Sequence, residues 1–281
     1  MAVSIAAVVV AFLLPWWSRR RGRPRVAFLG NSICYYNDLP RLLATLHGGR
    51  LHQDSCMRGG ADLPTLFARG NGISHLYGPL RAGAWSARRL LARRWDFVVL
   101  QDQTQAPARA APRAASAASL AADYAPLLRG ATPVLLETYA YDAPHKGDVG
   151  GLDAFARDLE AGYAAYAAAL AAAGAPAPRV APCAAAFEIV RAERPALWRS
   201  LFQEDGYHPT PRGSLLLACV LYETIFERPP ALDDVAAPAA LWSSARYFGG
   251  ERDGAPAFPT ADECRYLGDA ARRAREKRKG C

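Results

Sequence analysis

Residues 26–37 read VAFLGNSICYYN. An apolar run ends in a glycine, a polar pair follows, and the chain turns apolar again. Taken with Arg25, the run RVAFLG over 25–30 is unbroken by polar alternation, which marks a strand buried on both faces. Gly30 permits a tight turn that a side chain would obstruct. Ser32 then lies on a strand-to-helix turn. Two further runs share the pattern, WDFVVL at 95–100 and TPVLLETY at 132–139, and a shorter one is expected over 179–183. Residues 49–62 read as a strand edge and loop.

Helical signals fall between these strands. DLPRLLATL at 38–46 has leucines at helical spacing, with Asp38 expected as N-cap and Pro40 in the first turn. The Ala-rich stretch 106–130 is expected to be helical from about Ala114. Residues 152–173 carry Leu159, Tyr163, Tyr166 and Leu170 on one stripe, and Pro176 and Pro178 follow. RGSLLLACVLYETIF at 212–226 is a strongly apolar helix, and 142–151 is a glycine-rich loop. Strands alternating with helices imply a parallel sheet covered on both faces.

The chain has 281 residues, 51% of them hydrophobic and 21% charged, which excludes a wholly disordered protein. Six cysteines exclude a disulfide-dense miniprotein. The net charge of +8 divides into +5 within 1–25, +5 within 272–281 and −2 for everything between. A nucleic-acid-binding fold carries its basic face on the folded body, so no nucleic acid partner is expected. The uncharged segment 2–17, AVSIAAVVVAFLLPWW, is followed by an arginine cluster. It predicts an uncleaved membrane anchor, and with it membrane association with the orientation left open, against a misassigned start or a buried N-terminal helix and a secreted or soluble protein. The C-terminal basic stretch is expected to be a solvated helix end or tail drawn to anionic lipid. The expected organisation is an anchor with basic flank over 1–25, a body over 26–228 and a C-terminal extension over 229–281.

Ligands of parallel α/β sheets lie beyond the carboxyl ends of the strands. Ser32 follows the first strand, where it is either a nucleophile or a helix cap. Gln101 and Gln103 follow the second, where an amide either donates to a developing oxyanion or satisfies loop backbone. Gly59 and Gly60 would let a backbone N–H approach the same point. Asp205 precedes His208 in a turn-prone stretch. The pair is a general base with its orienting carboxylate, or a surface histidine beside an aspartate.

Together these blocks resemble the SGNH hydrolase superfamily, the GDSL-like esterases and lipases, over about residues 26–226. VAFLGNSICYYN is similar to its first block, MRGGADL to its second, VVLQDQTQ (98–105) to its third and DGYHPTPRGSLLLA (205–218) to its fifth. The Gly-Asn-Ser form with a Gln-rich third block resembles a bacterial-type branch. The resemblance implies a three-layer α/β/α flavodoxin-like sheet of about five parallel strands. It implies Ser32, His208 and Asp205 as a triad, and the Ser32 and Gly60 N–H groups with Gln101 or Gln103 as the oxyanion hole. It also implies hydrolysis of a small acyl ester, O-acetyl groups on a carbohydrate included, with no cofactor. Two departures stand out: Asn31 occupies the usual Asp position, and glutamines replace the third-block Asn.

Asn31, Tyr35, Tyr36 and Tyr139, together with Trp85 and Tyr141, are expected near the substrate pocket, where aromatic rings stack on a sugar or form an ordinary apolar wall. Scattered histidines and the lack of a Cys-x-x-Cys pair argue against a metal. Cys34 is a second conceivable nucleophile, against its reading as a small buried apolar residue. Two readings other than hydrolysis remain: a catalytically silent domain that binds a glycan or protein, and an O-acyltransferase using the same triad.

Overall fold

The computed structural model describes residues 22–73, 86–143, 147–232 and 258–279. Five strands form one sheet: β1 (Arg25–Gly30), β2 (His52–Met57), β3 (Phe97–Leu100), β4 (Thr132–Leu136) and β5 (Arg179–Ala181). All neighbours are parallel, in the order β2-β1-β3-β4-β5. Leu29 stands level with Cys56 on one side and Leu100 on the other. The connection from β1 runs outward to β2 and the next returns to β3, so the chain reverses at β1. Parallel sheets open a ligand crevice at such a reversal, beyond the strand ends.

Helices cover both faces: α1 (Ser32–Tyr35), α2 (Leu39–Leu46), α3 (Leu63–Arg69), α4 (Ala87–Leu91), α5 (Ala110–Ser119), α6 (Leu152–Ala172), α7 (Cys183–Glu193), α8 (Pro195–Arg199), α9 (Pro211–Phe226) and α10 (Ala261–Lys279). Side chains alternate across a strand. Val26 and Phe28 of β1 therefore join a core with α2, α9 and α10, while Ala27 and Leu29 join a second core with α3, α4 and the later part of α6. The predicted stripe Leu159, Tyr163, Tyr166 and Leu170 is fully buried. The fold is a three-layer α/β/α sandwich.

Local readings change in two places. Asp38 stands before α2 in the left-handed region (φ 51°), makes no side-chain cap, and pairs with Arg41 at 3.1 Å. The Ala-rich helix begins at Ala110 rather than Ala114, because Pro112 falls in the first turn, where its missing N–H costs little.

The expected membrane association is corrected. Among the described residues no helix is long and apolar enough to cross a membrane. The apolar α9 has 16 residues, short of the ~20 that a bilayer requires, and the 21-residue α6 carries Asp153, Arg157, Asp158 and Glu160. The segment 2–17 itself lies outside the described residues, as does Trp85.

The C-terminal charge also changes meaning. Arg275 reaches the buried carboxylate of Glu223 at 3.2 Å, and Arg278 reaches that of Glu137 at 3.4 Å. Arg273 pairs with Glu193 at 2.6 Å, and Arg212 holds Glu263 at 3.1 Å. The inner side of α10 carries Cys264, Leu267, Ala270, Ala271 and Ala274 into the core. A buried carboxylate without a partner costs several kcal/mol, and these arginines supply the partners. The stretch expected as a solvated tail is thus, through Arg278, a docked helix.

Glu137 gives this arrangement a pH signature. Burial pushes its carboxyl up to about 7, against the pull of Arg278 and the Ala184 N–H. A carboxyl with a raised folded pKa binds more protons folded than unfolded, so its contribution to stability falls as pH rises through that window. Urea unfolding of wild type and Glu137→Gln at about pH 4 and about pH 8 should show wild type losing on the order of 3 kcal/mol relative to the variant on going to the higher pH. Parallel pH profiles would contradict this.

Candidate active site

The site assembles at the carboxyl ends of β1 and β3. Gly30 ends β1, and a Cβ there would sit 2.7 Å from Gln101 Oε1 and 2.9 Å from Cys34 Sγ, so any side chain would force these two to shift. Asn31 caps α1: its Oδ1 accepts from Ile33 N–H at 3.1 Å. The cap is therefore Asn31 and not Ser32, which leaves the serine hydroxyl available. The Asn31 amide donates to Ala61 O at 3.0 Å and to Asp102 O at 3.2 Å, and its backbone N–H donates to Gln101 Oε1 at 2.9 Å. One buried side chain thus ties the Ser32 turn to the second and third blocks.

Ser32 Oγ lies 2.8 Å from His208 Nε2. His208 Nδ1 lies 2.6 Å from Asp205 Oδ2. Asp205 Oδ1 accepts from the N–H groups of Tyr207 and His208, both at 3.0 Å. Partial burial pushes the Asp205 carboxyl up, but these two N–H groups and the His208 ring outweigh it and hold the group below its usual value. The carboxylate is therefore charged at neutral pH, as a partner for an imidazolium must be. Ser32 and His208 are each 8% exposed.

Backbone contacts hold the His208 loop. Gln203 N–H donates to His208 O at 2.8 Å and Thr210 N–H to Leu201 O at 2.9 Å, around an antiparallel bridge between Phe202 and Pro209. The Tyr139 hydroxyl donates to Tyr207 O at 2.8 Å. Gly206 turns the loop at φ 79°, a conformation with little cost only for glycine.

Gly60, at φ 65°, lies in a turn closed by Ala61 N–H to Arg58 O at 3.3 Å. Since Asn31 holds Ala61 O, this turn is tied to the Ser32 turn. Gln101 is fully buried, with its amide donating to Asp102 O and its Oε1 accepting from Asn31. Gln103 is only half-buried. Its Oε1 accepts from Gln105 N–H at 2.8 Å and Ala106 N–H at 3.0 Å, which fixes the amide at the mouth of the third-block turn.

Several pocket expectations are corrected. Tyr139 is fully buried, stacked on Phe187 at 4.0 Å, and braces the histidine loop instead of lining a pocket. Asn31 is 2% exposed and is occupied as described above. Tyr141 is buried, its hydroxyl 2.9 Å from Thr104 Oγ1 and accepting from Gln105 Nε2 at 2.9 Å. Tyr35 is largely buried and packs its hydroxyl against Gly59. Tyr36 remains half-buried and stacks on the His208 ring at 4.2 Å and 20°. Cys34 is no rival nucleophile: burial pushes its thiol far up, and its Sγ lies 3.5 Å from Gln101 Oε1.

Sequence reasoning missed Asp102. It is fully buried and accepts from Leu63 N–H at 2.9 Å, Gln103 N–H at 2.8 Å and the Tyr166 hydroxyl at 2.6 Å. Burial raises its carboxyl above the usual value, and these donors pull against that. It joins α3 and α6 to the third-block turn. A carboxylate between two glutamines at a strand end was the available signal, but its partners lie 39 and 64 residues away.

No family model matches the sequence, and no curated protein matches it. Among solved structures, a candidate SGNH hydrolase from Slackia heliotrinireducens matches at 30% identity with a TM-score of 0.53, covering 73% of this chain and 100% of that one. A DUF4886 family protein from Bacteroides uniformis matches at 16% identity and TM-score 0.56, over 89% of this chain and 94% of that one. A GDSL-like lipase candidate from Parabacteroides merdae matches at 13% identity and TM-score 0.50, over 74% and 97%. The last two speak for the fold alone. The first, with the hydrolase-like Ser–His–Asp arrangement, carries the assignment: the chain belongs to the SGNH hydrolase superfamily.

The Asn31 tie predicts its own test. Asn31→Asp replaces a two-proton donor with an acceptor facing two carbonyls. Urea unfolding of the variant above pH 6 should show a loss of roughly 1–3 kcal/mol. An unchanged midpoint would mean that the amide contributes nothing.

Proposed function

We propose that this chain transfers acyl groups through an acyl-Ser32 intermediate, with water as the usual acceptor, so that its activity is hydrolysis of a small acyl ester. The observation that carries the reading is the unbroken line from Ser32 Oγ to His208 Nε2 to Asp205 Oδ2, at 2.8 and 2.6 Å.

In this reading Ser32 Oγ attacks the ester carbonyl while His208 Nε2 takes its proton. Asp205 keeps the imidazole in the correct tautomer and stabilises the imidazolium. The negative oxygen of the tetrahedral intermediate is held by the Ser32 N–H, a first-turn donor of α1 without an intrahelical partner, and by the Gly60 N–H. Gln103, whose Nε2 makes a long bond of 3.5 Å to Thr104 Oγ1, serves as third donor better than the buried Gln101, whose amide is committed to Asp102 O. His208 then passes its proton to the leaving alcohol. Water, deprotonated by the same nitrogen, attacks the acyl-enzyme and releases the acid. The Gly-Asn-Ser branch with its glutamine-rich third block belongs to this proposal, as do O-acetyl groups on a carbohydrate as the favoured substrate.

One observation favours the other readings. Both third-block amides bond within the protein, Gln101 to Asp102 O and Asn31 N–H, and Gln103 through its Oε1 and, at 3.5 Å, from its Nε2 to Thr104 Oγ1. A thinned oxyanion donor set suits a silent binding domain, and the same triad suits an O-acyltransferase with an alcohol acceptor.

A fluorophosphonate probe separates these readings. Wild type should be labelled at Ser32, and Ser32→Ala should lose both labelling and hydrolysis of p-nitrophenyl acetate while remaining folded. Gln103→Ala should lower kcat about 10²- to 10³-fold, as for loss of one oxyanion donor. A folded wild type that resists the probe and leaves esters intact would favour the binding domain. An ester of an added alcohol as main product would favour the transferase.

A further inference from the structure

The nucleophile turn continues through residues that the triad does not use. After α1 the chain passes Tyr36, then Asn37 and Asp38 at φ 55° and 51°. Two successive non-glycine residues in the left-handed region cost free energy and persist only where the surroundings fix them. What fixes Asn37 is its side chain: Nδ2 donates to Pro209 O and to Ser214 Oγ, both at 2.9 Å. Pro209 immediately follows His208, and Ser214 lies in the first turns of α9. Both bonds are buried and span more than 170 residues of sequence.

Two aromatic rings lie against the His208 ring. Tyr36 stacks on it at 4.2 Å and 20°, and Tyr207 leans on it at 3.9 Å and 36°. Asp205 fixes one ring nitrogen at 2.6 Å and Ser32 Oγ meets the other at 2.8 Å, but these two bonds leave the ring free to rock about the axis that joins them. A stacked ring removes this freedom. Burial, and the Asp205 charge after it, keep the Tyr36 phenol neutral by raising it above its usual value. The contact is therefore one of ring faces and not of charges.

Resting on the acyl-transfer reading, we infer that Tyr36 and Asn37 are positioning residues for His208. Asn37 sets the height of the histidine loop over the nucleophile turn, and Tyr36 sets the plane of the imidazole, so that Nε2 meets Ser32 Oγ. The nucleophile turn thus carries the gauge for its own base. Neither residue touches the reacting atoms, so each acts on turnover more than on substrate binding.

The test compares four variants of the full chain by fluorophosphonate labelling rate, by kcat and KM on p-nitrophenyl acetate, and by thermal unfolding. Tyr36→Phe keeps the ring face and should stay within about threefold of wild type in kcat. Tyr36→Leu removes the face and should lower kcat and labelling rate by about tenfold or more, with KM little changed. Asn37→Gly keeps the backbone relaxed at positive φ but loses both hydrogen bonds, and should fall by a similar factor. Asn37→Asp keeps the side chain's shape without its donors and should fall with it. Loss of kcat in Tyr36→Phe equal to that in Tyr36→Leu, a loss confined to KM, or full activity in both Tyr36→Leu and Asn37→Gly overturns the inference while leaving acyl transfer intact. If Asn37→Gly fails to fold, the two Tyr36 variants decide alone, since that side chain is half-exposed. A wild type that the probe does not label overturns the acyl-transfer reading and the inference with it.

Discussion

The side chain and N–H of Asn31 make four hydrogen bonds that join three parts of the site. Its Oδ1 caps α1, its amide protons hold Ala61 O and Asp102 O, and its N–H rests on Gln101. The geometry around Ser32 depends on this buried amide, because three loops from three strands meet there. An amide suits the task where a carboxylate would not, since the position faces two carbonyls and one N–H. The familiar Asp of the superfamily's first block and the Asn of this chain are therefore not equivalent here. Asn31 is matched by Gln101, which accepts from it, and by Asp102, whose carbonyl receives it.

Asp102 repeats the principle one layer down. Its carboxylate gathers the first N–H of α3, the next residue of its own turn and a hydroxyl from α6. A buried acid becomes tolerable when its lone pairs are occupied. Satisfying it forces α3, α6 and the third-block turn into one arrangement. The half of the site that comes from early strands is thus assembled by buried polar bonds. The histidine arrives from the far end of the body, over 170 residues later, and is fastened by Asn37, Tyr139 and the backbone of its own loop.

The basic C-terminal stretch shows how a headline charge misleads. Read as a sum, it suggested attraction to an anionic surface. In the fold, Arg275 and Arg278 face inward to Glu223 and Glu137, and Arg273 meets Glu193. Glu137 follows the end of β4, two residues before Tyr139. The helix that neutralises it therefore supports the same strand end that braces the histidine loop.

The sequence alone determined the strand pattern, the parallel α/β class and the buried stripe of α6, and it singled out Ser32, Asp205 and His208, which the fold brings within hydrogen-bond reach of one another. Those signals are local: apolar runs, glycine turns and a carboxylate three residues from a histidine. Only the tertiary structure decided which groups meet. It made Asn31 the cap in place of Ser32, took Tyr139 and Tyr141 out of the pocket into the core, committed Gln101 to Asp102, and turned a basic tail into a docked helix. The physical reason is that the hydrogen bonds and ion pairs that bring distant elements together span as many as 177 residues and leave no periodicity in the chain. A buried Asn or Asp looks the same in sequence whether it faces water, a ligand or three loops, and only the packed fold tells these apart.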